Sequence, residues 1–125
     1  MHALLKAHDE ILSVQPRTRR LTRWQARAFR QQLAQATETS SCLLLDLSQV
    51  DYIDSVGFRI ILDALQGARA RGGDIKLVAP RPPVRTLLEL TRLYRVFDLH
   101  EEAAPAVDAF HQRRNHTALF ERIAQ

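Results

Sequence analysis

A single cysteine, four glycines and an aromatic content of only 6% exclude several kinds of protein for this 125-residue chain. Cys42 has no second thiol to join, so no internal disulfide forms, as expected in a reducing cytoplasm. At the head of an apolar run it reads as a small buried residue. The glycines at 57, 67, 72 and 73 make no Gly-rich turn ending in lysine, so a phosphate-cradling nucleotide loop is absent. No apolar run approaches the ~20 residues needed to span a bilayer. The opening "MHALLKAHDEILSV" has no basic region leading into an uninterrupted apolar stretch, so no secretory signal is expected. The histidines, His2, His8, His100, His111 and His116, stand in no recognisable catalytic or metal-ligand spacing. Neither metal nor cofactor is therefore expected.

What is present fits one soluble, cytoplasmic domain: 46% hydrophobic residues, 26% charged and a net charge of +4. A chain of this size buries roughly two thirds of its unfolded surface, enough for one core. The charge is uneven. Residues 17–30, "RTRRLTRWQARAFR", hold six arginines and no acid. Arg19, Arg23, Arg27 and Arg30 recur at three- and four-residue steps, which predicts one helix face turned to water or to an acidic protein surface. Trp24 and Phe29 form no stacking series and no groove-reading motif accompanies them, so direct nucleic-acid binding is not expected.

Periodicity gives the elements. Ile11, Leu12 and Val14 ahead of Pro16 read as a strand, with an earlier partner across "AHDE". Thr22 is a candidate N-cap for a helix to about Thr37, with Phe29, Leu33 and Ala36 on its inner face. "CLLLDL", 42–47, is a continuous apolar run suited to a strand buried on both faces, hence the sheet centre. Ile61, Ala64, Leu65 and Ala68 repeat with helical period until Gly72, which can stop the helix in a left-handed conformation. "DIKLVA", 74–79, is the next strand. "PRPPVRTLLELT" starts a helix at its prolines with Val84, Leu87, Leu88 and Thr91 inward, and Val96 to Leu99 reads as a short edge strand. Glu101 and Glu102 precede a last helix whose first turn favours negative charge. This succession predicts an α/β fold, a mostly parallel or mixed sheet of four to five strands with alternating helices. Residues 1–110 are expected as one domain and 111–125 as a C-terminal helical extension.

The problem the sequence sets is Ser55. It follows a strand and a short turn and stands at a helix start, where its hydroxyl suits an ordinary capping role, shared with or replaced by Asp54. Gly57 suits a close approach of helix to sheet. A nucleophilic serine needs a base and oxyanion donors, and neither these nor a glycine-bounded nucleophile elbow is legible, so an enzyme is not expected.

The string "DLSQVDYIDSVGFRIILDAL", followed by "ARARGGDIKLVAPRPPVRTLLELTRLYRVFDLHEEAAPAVDAF", resembles the STAS domain family, and within it the bacterial anti-sigma factor antagonists. An apolar strand ending in Asp leads to Asp-Ser-x-Gly at a helix start, and the resemblance runs from about residue 10 to 110. It implies the STAS fold, with Ser55 as a regulatory phosphorylation site and Asp54 and Gly57 shaping the switch turn. It implies as partners a GHKL-type serine kinase that is also the anti-sigma factor, bound while Ser55 is unmodified, and a PP2C-type phosphatase that resets the serine. The helix start, with its free N–H groups, is expected to tolerate the phosphate. Phe58 and Leu62 lie off the Ile61–Leu65–Ala68 stripe, either as an exposed apolar edge for the partner or as part of a broader buried stripe. Arg59 beside them suits steering of an acidic partner. A second implication of the resemblance is a small STAS subunit of a lipid-transport ABC system, clamping its ATPase without phosphorylation. Two departures from the family stand out. "PRTRRLTRWQ" replaces a glycine turn that often contributes to partner recognition, and Arg92 stands where glycine is frequent.

Overall fold

The computed structural model describes residues 3–8 and 11–112. The expected extension beyond 112 lies outside the described residues. Strands β1 (Ala3–His8) and β2 (Ile11–Pro16) form an antiparallel hairpin. β2 then pairs in parallel with β4 (Cys42–Asp46), β4 with β6 (Asp74–Val78) and β6 with β7 (Asp98–His100), giving the sheet order β1-β2-β4-β6-β7. Between them, β3 (Arg20–Leu21) and β5 (Tyr52–Ile53) make a separate two-stranded parallel ribbon. The mostly parallel α/β architecture expected from the alternation is the one observed, with "CLLLD" at its centre.

β4 shows why that run is continuous. Leu43 and Leu45 point into one core with Phe29, Leu33 and Ala36 of helix α1 (Ala26–Thr39), Ile61, Leu65 and Ala68 of helix α2 (Ser55–Ala70), and Val84 and Leu88 of helix α3 (Pro82–Leu90). Leu44 points the other way, to Ile11, Val78, Ala106 and Phe110, the last two on helix α4 (103–112). Both faces of the strand are covered, so no polar position interrupts it. On the α4 face the buried Lys76 ammonium is held by Asp98 (2.5 Å) and Asp74 (3.3 Å) and lies 4.6 Å from the Phe110 ring centre.

Helix ends follow local chemistry. Gly72, at φ 82°, donates its N–H to Arg69 (3.0 Å), and Gly73 donates to Ala68 (2.8 Å), the paired bonds of a Schellman stop. Thr22 accepts from the Trp24 N–H (3.3 Å) while Gln25 reaches back to the Thr22 N–H (3.0 Å), a capping box. It opens a turn ahead of the helix, which itself begins at Ala26. Two expectations are corrected. Thr91, expected inward, is exposed; its hydroxyl donates to the Leu87 carbonyl (2.6 Å) at the helix end. The edge strand begins at Asp98, because Val96 and Phe97 donate to Leu93 (2.9 and 3.0 Å) and close a 3-10 turn (Leu93–Arg95) first.

Candidate functional site

The β3–β5 ribbon builds the site. Leu21 and Ile53 are buried opposite each other, and Leu47 and Val50 close a turn beneath them. Asp51 and Tyr52 donate to the Arg19 carbonyl (2.7 and 3.2 Å), and Asp54 donates to that of Leu21 (3.1 Å). This last bond holds Asp54 in extended backbone at the N-cap of α2, with its carboxylate over the first turn.

One carboxylate then does two things. Oδ1 accepts from the Gly57 N–H (2.9 Å), capping α2, and Oδ2 accepts from the Arg23 N–H (3.0 Å) in the turn before α1. Burial by itself raises the Asp54 carboxyl, but the N–H donors of Gly57, Arg23 and Val56, and then the Arg23 charge, outweigh it and hold the pKa below the ordinary carboxylate value. Ser55 is the first residue of the helix, exposed, and its hydroxyl has no hydrogen-bond partner among the described residues. The capping role belongs to Asp54.

Gly57 is fixed by packing. A Cβ there would overlap the Leu21 carbonyl oxygen and stand 2.8 Å from Ile53 Cγ2. The helix start lies so close to the ribbon that only hydrogen fits.

Around this turn the surface is cationic and aromatic. The Arg23 guanidinium lies 5.0 Å from the Trp24 ring centre, and that of Arg20 lies 5.0 Å from that of Tyr52. Trp24 is 80% exposed and Tyr52 41%. Asp51 bridges Arg19 and Arg81, each at 2.7 Å. Arg27 and Arg30 are exposed on α1, whereas Arg19 and Arg23 precede the helix, so the expected single helix face of four arginines is corrected. Arg19 lies just ahead of the ribbon and Arg23 in the turn between the ribbon and α1.

Residues 3–106, which include the whole of this turn, match the model of the STAS domain family. The chain belongs to the STAS domain family. BtrV of Bordetella bronchiseptica, a candidate anti-sigma factor antagonist, is 30% identical over 77 residues, which cover 62% of this chain and 66% of BtrV, just under two thirds of its length. The crystal structure of an anti-sigma factor antagonist from Mycobacterium paratuberculosis superposes with a TM-score of 0.77 at 25% identity, covering 88% of this chain and 93% of that one. The Bacillus cell fate determinant SpoIIAA shares the fold at 16% identity. Its unphosphorylated form covers 86% of this chain and 96% of its own at a TM-score of 0.63, and its phosphorylated form 86% and 98% at 0.64.

In this STAS domain the residues singled out from sequence are brought together unequally. Asp54, Ser55 and Gly57 stand in one turn at the start of α2. For Phe58 the exposed edge is corrected and the buried stripe holds: it is 6% exposed and packs in the core. Leu62 is half-buried against the same core. Arg59 is at the surface, paired with Asp63 at 3.2 Å. Arg23, Trp24, Tyr52 and Asp51 are additions to the site. The acid-free arginine run signalled Arg23 and Trp24 and nothing in the sequence signalled Tyr52 and Asp51; it is the ribbon register that brings the two segments together. Among the described residues no group of three or more His, Cys, Asp or Glu side chains could hold a metal, and no helix is long and apolar enough to cross a membrane.

Proposed function

We propose that this chain is a phosphorylation-controlled binding module of the anti-sigma factor antagonist kind, acting in the cytoplasm, with Ser55 as the modified residue. The observation that carries the reading is the division of labour at the helix start. Asp54 caps α2, which leaves the Ser55 hydroxyl exposed and uncommitted. A serine that served only the helix would be bonded to it.

The partners in this reading are a GHKL-type serine kinase that doubles as the anti-sigma factor, and a PP2C-type phosphatase. The antagonist role of BtrV-like relatives and the existence of SpoIIAA in both phosphorylation forms support it. Phosphate adds about 1.5 to 2 negative charges at neutral pH. A partner surface fitted to a neutral hydroxyl is penalised by that charge, and about 2.8 kcal/mol suffices to weaken binding a hundredfold.

The test is affinity capture from a lysate of the source organism with Ser55→Ala and Ser55→Asp baits, read by mass spectrometry. A GHKL-type kinase retained by the alanine bait and lost by the aspartate bait is the expected result. An ABC-system ATPase held equally by both overturns the switch and makes the chain a transporter subunit.

A further inference from the structure

The capping geometry raises an electrostatic problem for the modified state. A phosphate at a helix start ordinarily draws on free backbone N–H groups. Here the N–H groups of Val56 and Gly57 are already directed at Asp54. The Asp54 carboxylate, held ionised by the same donors, adds like charge one residue away. A dianion on Ser55 therefore gains from cationic side chains beyond what the helix backbone supplies.

The surroundings limit which cations can serve. Arg19 and Arg81 are held by Asp51, each at 2.7 Å. Arg20 lies over Tyr52. Arg23 has no carboxylate ion pair among the described residues. Its backbone N–H is bonded to Asp54, the residue before Ser55, and its guanidinium is close enough to Asp54 to lower that carboxyl. Arg59 stands four residues after Ser55 on α2, where side chains of successive turns meet, and its present partner Asp63 is exposed and 3.2 Å away. An exposed pair of this kind is worth at most about 1 kcal/mol, and a phosphate outcompetes it.

We propose that a phosphoryl group on Ser55 is held in cis by Arg23 and Arg59, and that Arg23 leaves the face of Trp24 to do so. This rests on the reading of Ser55 as the modified residue and adds how the modification is read. The phosphate gathers two arginines inward, removes their charge from the surface, and uncovers the Trp24 ring. Modification thereby changes the docking surface on the α1 side as well as at the serine itself.

The experiment installs phosphoserine at position 55 during synthesis, without a kinase, and compares it with unmodified protein. The second ionisation of the phosphate, about 6 when unconstrained, is followed by phosphorus NMR. Two neighbours pull it in opposite directions: Asp54 alone moves it above 6, and an arginine clamp moves it below. The expected result is a value below 6 in the native sequence that rises when Arg23→Gln or Arg59→Gln is introduced. The chain has one tryptophan, so its emission reports Trp24 directly. It is expected to change on phosphorylation in the native sequence and to stay constant in the Arg23→Gln protein. A phosphate that titrates at or above 6 and ignores both substitutions overturns the clamp. A lowered value with unaltered Trp24 emission and no response to Arg23→Gln overturns the part given to Arg23. Because no kinase is used, the outcome is separate from the capture experiment. Failure to retain a kinase would end the switch and leave the clamp standing, and the reverse holds equally.

Discussion

Two glycines of the same helix, given the same substitution, are expected to move stability in opposite directions. In an exposed helix interior Gly→Ala stabilises by roughly 0.5–1 kcal/mol, since alanine loses less backbone freedom on folding. Gly67 meets that condition, with nothing within 4 Å of the Cβ it would gain. Gly57→Ala receives a similar helical gain, but its Cβ would overlap the Leu21 carbonyl oxygen and crowd Ile53 Cγ2 at 2.8 Å. Leu21 is 1% exposed and pinned by the Asp54 N–H, so the ribbon has little room to retreat. Overpacking costs about 1–3 kcal/mol, and a clash with fixed backbone belongs at the upper end, about 2–3, which outweighs the helical gain and leaves a net loss of about 1–2 kcal/mol. Urea titration followed by circular dichroism reads both. With a slope of about 2 kcal/mol/M, the Gly57→Ala midpoint falls by roughly 0.5–1 M and the Gly67→Ala midpoint rises by roughly 0.3–0.5 M. If both substitutions raise the midpoint, the close approach of α2 to the ribbon does not exist and the account of the Ser55 turn fails with it.

Other consequences follow from single residues. Asp54→Ala removes the cap and is expected to cost about 1 kcal/mol near neutral pH. Since the folded-state pKa of Asp54 is depressed, its contribution is complete above the unfolded value of about 3.9 and is lost as pH falls through the folded value. The gap between native and variant in thermal melts therefore narrows on acidification, and a gap that widens refutes the sign. Arg92 sits at φ 60°, ψ 17°; Arg92→Gly relieves left-handed strain of about 1–2 kcal/mol against a glycine entropy cost of about 0.5–1, so the melting temperature should rise by a few degrees, and a fall would refute it. Lys76→Met leaves Asp98 without its 2.5 Å partner and removes the ammonium from Phe110; a loss of about 2–4 kcal/mol is expected, partly recovered in a Lys76→Met, Asp98→Leu double variant. No recovery would place the loss at Asp74 or in packing instead of at Asp98.

Much of the fold was legible because the signals were local. Leu43, Leu44 and Leu45 announce a strand covered on both sides, and Gly72 ends α2 through the conformation its missing side chain permits. The site was legible only as a string. Asp54 and Ser55 are both good capping residues, and no propensity separates them; the bond from the Asp54 N–H to Leu21 does, by setting which side chain faces the Gly57 N–H. Phe58 stayed open between edge and stripe because helical period alone makes it lateral to the Ile61–Leu65 stripe, whereas the core takes in that flank as well. The arginine run misled for the reverse reason: its spacing is helical, yet Arg20 and Leu21 pair with Tyr52 and Ile53 as strand. Four ribbon residues, too few to show alternation, decide where the charges stand.

That ribbon is also what makes the two helix starts one unit. Through Asp54, the backbone of Arg23 ahead of α1 and that of Gly57 in α2 are bonded to the same carboxylate. An arrangement in which Ser55 capped its own helix would stabilise α2 equally well but would commit the hydroxyl and leave the α1 side unlinked. Transferring the cap to Asp54 frees the serine, holds its helix start against the ribbon, and ties the Arg23 backbone of the α1 turn to the residue before it. The family's glycine turn would bring no charge to this position. Arginines in its place put positive charge beside the Asp54 carboxylate, so in the proposed switch a negative charge acquired at Ser55 acts on both helix starts.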